Sequence, residues 1–143
     1  MFSTIVVGTD GSETAALAVA RAAHLARQSG ATLHLVAAYQ MPAAVADPLS
    51  GALLGQFTTS EEQMSAAQQM LEEVAGGLTG LDIELHAKSG APAAVIVRHA
   101  EEVGADLIVV GSKGMQGARR IIGSVPNSVA HTAGCHVLIA KTN

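Results

Sequence analysis

Short β-branched, apolar runs alternate with longer segments of helical periodicity along the whole chain of 143 residues. Strands in such an alternation are expected to be parallel, because each is followed by a helix that crosses back over the sheet. The runs are almost continuously apolar, as is typical of strands buried on both faces. The pattern predicts a single α/β domain over residues 1–143: a doubly wound, five-stranded parallel sheet in the order 3-2-1-4-5, with helices on both faces.

The predicted elements follow from where the apolar runs and helical patterns begin and end. Strands are predicted at residues 4–7, 32–37, 82–87, 107–110 and 136–140, and helices at about 12–30, 60–76, 92–103 and 118–133. The third strand alternates polar and apolar residues, which predicts an edge strand with one face in water. Residues 40–59 contain two of the four prolines and no steady period, so they are expected to form a flexible insertion loop.

The composition narrows the possible classes of function. Apolar residues make up 49% of the chain and charged residues 14%, which favours a folded domain over disorder. A formal net charge of −4, with eight Lys and Arg residues, argues against nucleic-acid binding, which needs a basic face. No apolar stretch approaches the roughly 20 residues of a membrane span and no signal peptide is recognisable, so a cytoplasmic protein without membrane contact is expected.

The most unusual segments follow strands one and four. In open parallel sheets, ligands bind at the carboxyl ends of the strands where the strand order reverses, and that reversal brings GTDGS beside GSKGMQGARRIIGSV. Glycines ahead of a helix let backbone amides approach an anion, so the second segment indicates a phosphate site, unless its glycines only form a loose surface turn. The spacing matches neither a P-loop nor a dinucleotide-binding fingerprint.

Two interpretations remain open for Asp10, which follows the first strand. Its carboxylate either accepts hydrogen bonds from a ribose or a base, or forms an Asx-turn ahead of a helix capped by Ser12. The six histidines show no metal-ligand spacing and are interpreted as structural or surface residues, so no metal site and no catalytic residue is predicted. The single cysteine, Cys135, is not expected to be reactive.

Three segments resemble the universal stress protein family: TDGSETA after the first strand, GAPA before the third helix, and VVGSKGMQGARRIIGSVPNSVAHTAGCHVLIAK at the end. The resemblance extends over the whole chain and implies the five-stranded α/β fold, a homodimer and, in one branch, ATP binding through a G-x2-G-x9-G-[ST] motif. Here eight residues, MQGARRII, separate Gly114 from Gly123 where that motif has nine. Transferred by position, the nucleoside contacts are Thr9, Asp10 and Ala38, and the phosphate contacts are Gly111, Gly114, Gly123, Ser124 and Val125.

The resemblance leads to one main hypothesis and two alternatives. In the main hypothesis the chain binds an adenine nucleotide (ATP, AMP or cyclic AMP), with Mg²⁺ accompanying the phosphates, and acts as a stress-response sensor or regulator with at most slow ATP hydrolysis. In the first alternative the shortened motif binds no nucleotide, and the dimer binds protein partners through residues 40–59. In the second, the chain is a slow nucleotide hydrolase that depends on Asp10. Strand five (His136 to Ala140) is a short apolar edge and is expected to pair with its copy in a homodimer.

Overall fold

Strands and helices alternate in the structure in the order that the sequence predicts. The structure is a computed structural model that describes residues 1–40, 60–113 and 124–142. Residues 41–59 of the predicted insertion loop, and residues 118–123 of the predicted fourth helix, lie outside these ranges. The strands are β1 (Thr4–Gly8), β2 (Thr32–Tyr39), β3 (Ile83–Ser89), β4 (Leu107–Gly111) and β5 (His136–Ala140), and the helices are α1 (Glu13–Ser29), α2 (Ser60–Gly76), α3 (Pro92–Val103) and α4 (Ser124–Thr132).

The strands form one parallel sheet in the order β3-β2-β1-β4-β5, which confirms the predicted topology. Alternate side chains of β1 point to opposite faces of this sheet. Ile5 and Val7 belong to a core cluster with residues of α1 and α2, whereas Val6 belongs to a second cluster with residues of α3 and α4. All three side chains are fully buried. The sheet is therefore covered on both faces, as the continuously apolar runs predicted.

The ends of the helices are set by local hydrogen bonds. At the start of α1 the Ser12 hydroxyl oxygen accepts a hydrogen bond from the Ala15 N–H at 3.1 Å, and at its end the Gly30 N–H donates to the Ala26 carbonyl. α3 begins at Pro92, where a missing N–H breaks no helical hydrogen bond. Among the described helices, none combines the length and apolar character needed to cross a membrane.

Four strands end later than their apolar runs predicted, β1 and β4 by one residue and β2 and β3 by two. β2 continues to Tyr39 rather than residue 37, and β3 to Ser89 rather than residue 87, because their parallel pairing continues to those two residues. The edge position of β3 is confirmed. Its polar face lies in water at Glu84, as expected. His86 on the same face is half-buried instead, because it contacts His99 of α3, with ring centroids 4.0 Å apart.

Asp106 joins the start of β4 to the start of β1. Its carboxylate accepts hydrogen bonds from the N–H and hydroxyl of Ser3, both at 2.9 Å, and from the Thr4 N–H at 3.2 Å. Partial burial raises the pKa of Asp106, but these hydrogen bonds outweigh it and hold the pKa below the ordinary carboxyl value. At this amino edge of the sheet, polar groups of the chain are thus paired with one another.

Candidate functional site

The carboxyl edge of the sheet opens between β1 and β4, where the strand order reverses. The two strands are paired as far as Val7 and Val109, and β1 then ends at Gly8. β4 continues to Gly111, which is paired on its other side with Ala140 of β5. The segments that follow β1 and β4 therefore leave the sheet at the position where a ligand crevice is expected for this fold.

Four of the eight predicted contact residues lie at this crevice. Thr9 and Asp10 follow β1 directly, Ala38 is the next-to-last residue of β2, and Gly111 ends β4. Because neighbouring parallel strands end at the same edge, the topology brings these four positions together. The three predicted nucleoside positions and Gly111 thus lie at the same edge of the sheet.

β2 extends past the end of β1 and leaves a backbone edge above the crevice. The last hydrogen bond between the two segments runs from the Thr9 N–H to the Val36 carbonyl, at 2.9 Å. Backbone groups of every second residue point to the same side of a strand, so the next groups that face β1 belong to Ala38. β1 has ended by that point. Within the described residues, the Ala38 N–H and C=O therefore have no strand partner on this side.

The turn after β1 is fixed by its own side chains. The hydroxyl oxygen of Thr9, a residue only 8% exposed, accepts a hydrogen bond from the Gly11 N–H at 3.1 Å. Asp10 Oδ1 accepts one from the Ser12 N–H at 2.9 Å, which confirms the Asx-turn interpretation. In the described part of the chain, the other carboxylate oxygen of this exposed residue has no hydrogen bond. The turn therefore orients the carboxylate and leaves one oxygen able to accept a hydrogen bond from a ligand.

Gly11 brings α2 close to the base of this turn. Its φ is +80°, a left-handed conformation that is unfavourable for residues with a side chain. A Cβ at this position would also lie 2.8 Å from Cγ of Met70 on α2. Both the conformation and the packing require glycine here, and neither depends on a ligand.

The β4 side of the crevice is braced by the end of β5. The Ser112 N–H donates to the Ala140 carbonyl at 2.8 Å, and the Ser112 hydroxyl oxygen accepts a hydrogen bond from the Thr142 N–H at 3.2 Å. A Cβ on Gly111 would lie 3.0 Å from Cγ2 of Thr142. The close approach of buried Thr142 is thus one reason for a glycine at this position.

The phosphate half of the predicted site is described only in part. α4 begins at Ser124, which is exposed, and Val125 packs against the second core cluster. Gly114 and Gly123, the two glycines on either side of the shortened spacing, lie outside the described residues. The described geometry therefore bears on the nucleoside contacts more than on the phosphate contacts.

Three histidines that are far apart in the sequence lie together in the structure: His34 of β2, His86 of β3 and His99 of α3. His86 is paired with Val36, two positions beyond His34, so both side chains lie on the face that α3 covers. The sequence contains no motif spacing that links them. The proximity of the three histidines depends on the register of β2 against β3, and composition and periodicity do not determine that register.

The structure agrees with the sequence interpretation of Cys135, the single cysteine of the chain. Burial raises the pKa of the Cys135 thiol, and the negative charge of Asp106 raises it further. A raised pKa leaves less thiolate, and the thiolate is the reactive form. Cys135 is therefore a poor nucleophile at neutral pH.

Comparison with known proteins identifies relatives along the whole chain. The sequence profile of the Universal stress protein family matches residues 1–141. Universal stress protein Rv1636 from Mycobacterium tuberculosis is 34% identical over 145 aligned residues, which cover 99% of this chain and 97% of the relative.

Two solved structures share the fold and carry a nucleotide. One is a universal stress protein in complex with cAMP, 36% identical, with a TM-score of 0.69 and coverage of 99% of this chain and 98% of that one. The other is the universal stress protein from Archaeoglobus fulgidus in complex with dAMP, 25% identical, with a TM-score of 0.60 and coverage of 96% of both chains.

Proposed function

This chain belongs to the universal stress protein family, and from that premise we propose that it binds an adenine nucleotide between β1 and β4 and acts as a stress-response sensor or regulator. The single observation that carries the proposal is the unpaired backbone edge of Ala38, which lies above the turn formed by Thr9 and Asp10. The complexes of two relatives with cAMP and dAMP support adenine as the base.

The Ala38 edge matches adenine in hydrogen-bonding pattern. Its C=O can accept a hydrogen bond from the exocyclic N6 amino group, and its N–H can donate to an adjacent ring nitrogen. Guanine carries the O6 acceptor in place of the N6 donor. Two acceptors would then face each other, and a buried acceptor without a donor costs about 1–3 kcal/mol. Selectivity for adenine over guanine follows from this arrangement.

The sugar and phosphates are assigned to the two sides of the crevice. The Asp10 oxygen that has no hydrogen bond among the described residues would accept one from a ribose hydroxyl. The phosphates would contact the segment between β4 and α4, through the predicted positions Gly111, Gly114, Gly123, Ser124 and Val125. The N-terminus of α4 favours a negative charge at its start. Any Mg²⁺ would be held mainly by the phosphates themselves.

We propose a binding protein rather than a fast enzyme. The Asp10 carboxylate, on which the hydrolase alternative depends, already accepts the Ser12 N–H in the turn. Any ATP hydrolysis is expected to remain well below the range of about 1–10³ per second that is typical of enzymes. The protein would then report the nucleotide state of the cell through occupancy of the crevice.

A thermal melt with a panel of nucleotides tests the proposal. Purified protein is melted alone and with ATP and Mg²⁺, AMP, cAMP or GTP, each at millimolar concentration. A ligand at about a hundred times its Kd stabilises a protein by about 2.7 kcal/mol, which raises the Tm by about 5–20 °C. We expect such a rise with at least one adenine nucleotide and a clearly smaller one with GTP at the same concentration, because guanine meets the acceptor mismatch at Ala38. No rise with any nucleotide would contradict the proposal and favour the protein-interaction alternative.

Two variants of Ala38 test whether the nucleotide-induced rise in Tm depends on the backbone groups of this residue. Ala38→Pro removes the N–H that faces β1, while the β3 ladder uses the backbone groups of neighbouring residues. Ala38→Ser keeps both backbone groups. The nucleotide-induced rise should disappear in the first variant and persist in the second, and an equal response of both would show that the base binds elsewhere.

We also propose that two copies of the chain pair through β5. This strand has a neighbour on one side only, and the other edge of the sheet, β3, carries the charged residues Glu84 and Lys88. Charges discourage pairing at an exposed edge, whereas the sequence HVLIA contains none of the Lys or Glu residues that protect edges. The uncharged edge therefore fits a symmetric partner.

Sedimentation at micromolar concentration tests the pairing. We expect a species of twice the 14.4 kDa chain mass. The Ser112 N–H donates to Ala140, so the backbone groups of Val137 face the outer edge. Val137→Pro removes an N–H on that edge without breaking the β4 ladder, and it should yield a folded monomer. A wild-type monomer would overturn the proposed pairing.

A further inference from the structure

The histidine cluster of His34, His86 and His99 lies between the sheet and α3, outside the nucleotide crevice. His34 Nδ1 is 3.1 Å from His86 Nε2 and 3.2 Å from His99 Nε2. One ring nitrogen from each histidine lies within 4.8 Å of those of the other two. Three potential ligand nitrogens therefore converge on one point, in a part of the chain that is mostly apolar.

Hydrogen bonds alone do not satisfy this arrangement when the rings are neutral. His34 Nε2 is 3.2 Å from Glu84 Oε2, so its proton is best placed there, where it faces a carboxylate. His34 Nδ1 then carries a single lone pair, which faces both other rings and can accept from only one of them. His99 Nδ1 is also buried without a hydrogen-bond partner, in a side chain that is 2% exposed. A buried polar atom without a partner calls for an explanation.

We propose that the histidine cluster binds a divalent transition-metal ion, with Zn²⁺ as the fitting species, through His34 Nδ1, His86 Nε2 and His99 Nε2. In a tetrahedral site with Zn–N bonds of about 2.0–2.1 Å, the ligand nitrogens lie about 3.3–3.4 Å apart. Two of the three separations, 3.1 and 3.2 Å, are close to this value, and the third pair of ligand nitrogens lies within 4.8 Å, so the rings need to move closer only at that pair. Three protein ligands leave the fourth position to water or another small ligand, as in open zinc sites.

Two carboxylates lie next to the histidine nitrogens that would not bind the metal ion. Metal-bound histidines usually donate their second N–H to a carboxylate, which orients the ring. For His34 this carboxylate is Glu84, which can accept the hydrogen bond from Nε2. For His99 it is Glu102, whose Oε2 lies 4.0 Å from Nδ1. The Lys88 ammonium donates a hydrogen bond to Glu102 Oε2 at 2.7 Å and thereby fixes the position of this carboxylate.

Zn²⁺ titration of chelator-treated, nucleotide-free protein tests the site. Calorimetry should show one Zn²⁺ per chain, and Co²⁺ should give the visible absorption bands of a tetrahedral ion. His86→Gln and His99→Gln should each weaken Zn²⁺ binding at least tenfold while the circular dichroism spectrum stays folded. His136→Gln, a change at an exposed histidine outside the cluster, should leave binding unchanged.

A second pair of variants leaves all three ligands in place. Glu84→Ala removes an exposed carboxylate that orients His34 and is expected to weaken Zn²⁺ binding about 10–100-fold. Glu73→Ala, a change at an exposed carboxylate on α2, is the matched control. Absence of stoichiometric Zn²⁺ binding to folded wild-type protein, or binding that is equal in wild type and the cluster variants, would overturn the proposal. Neither result depends on whether the crevice binds a nucleotide.

Discussion

Replacing Ile108 with alanine is expected to lower the free energy of unfolding by about 3–4 kcal/mol, within the range measured for large-to-small changes in cores. Ile108 is fully buried on β4, paired with Val6 on one side and Val137 on the other. Its side chain belongs to the core cluster between the sheet and α3. The free energy of unfolding falls for two reasons. The removed methyl and methylene groups no longer contribute their burial, and the cavity that they leave is only partly filled by neighbouring side chains. Urea denaturation monitored by circular dichroism measures it.

Leu17→Ala is the matched control for this change. Leu17 lies on α1 but is 52% exposed, so its truncation should cost no more than about 0.5 kcal/mol. Equal losses for the two variants would show that Ile108 is not part of a tightly packed core. They would thereby contradict the packing of α3 on the sheet.

Replacing Asp10 with alanine is expected to weaken adenine-nucleotide binding about 10–150-fold. A hydrogen bond to a charged group contributes about 1.5–3 kcal/mol, and each 1.4 kcal/mol is about a factor of ten in Kd. The protein should remain folded, because Asp10 is exposed and outside the core clusters. Calorimetric titration with the nucleotide that gives the largest Tm rise measures the change.

Asp10→Asn separates the ligand contact from the turn. The asparagine side-chain oxygen can still accept the Ser12 N–H, so the Asx-turn is preserved while the negative charge is lost. Its affinity is expected to fall between those of wild type and Asp10→Ala. If both variants bind as tightly as wild type, Asp10 serves only the turn, and the ribose contact assigned to it is wrong.

The fold could be predicted because its determinants are local. Short, β-branched apolar runs such as residues 107–110 favour strands buried on both faces, and Ser12 and Pro92 mark where helices start. The alternation of these elements favours a parallel, doubly wound sheet. The predicted order β3-β2-β1-β4-β5, one of the common orders of such sheets, was confirmed.

The register of the strands could not be predicted, and two features of the molecule depend on it. The unpaired edge at Ala38 exists because β2 continues past the end of β1. The histidine cluster exists because His86 lies two positions beyond the residue paired with His34. A pattern along a single strand does not contain either relation, since each depends on how far one strand is displaced along its neighbour.

The two interpretations of Asp10, as the Asx-turn residue and as a ligand contact, do not exclude each other. The Asx-turn is present, and it uses only one of the two carboxylate oxygens. The Asx-turn fixes the orientation of the Asp10 carboxylate, and the second carboxylate oxygen could still accept a hydrogen bond from a ligand. In the proposed site, the backbone edge of Ala38 at the end of β2 would contact the base, and the Asp10 side chain after β1 would contact the sugar.

Amide chemical-shift mapping during a nucleotide titration tests the proposed site most directly. With nitrogen-labelled protein, the amide signals of Thr9, Gly11, Ala38 and Gly111 should shift on addition of an adenine nucleotide, and GTP should need a higher concentration to produce the same shifts. The amide of Leu17, exposed on the outer side of α1, should not move with either. Shifts confined to residues away from the ends of β1, β2 and β4, or no shifts at millimolar nucleotide, would contradict nucleotide binding at this crevice.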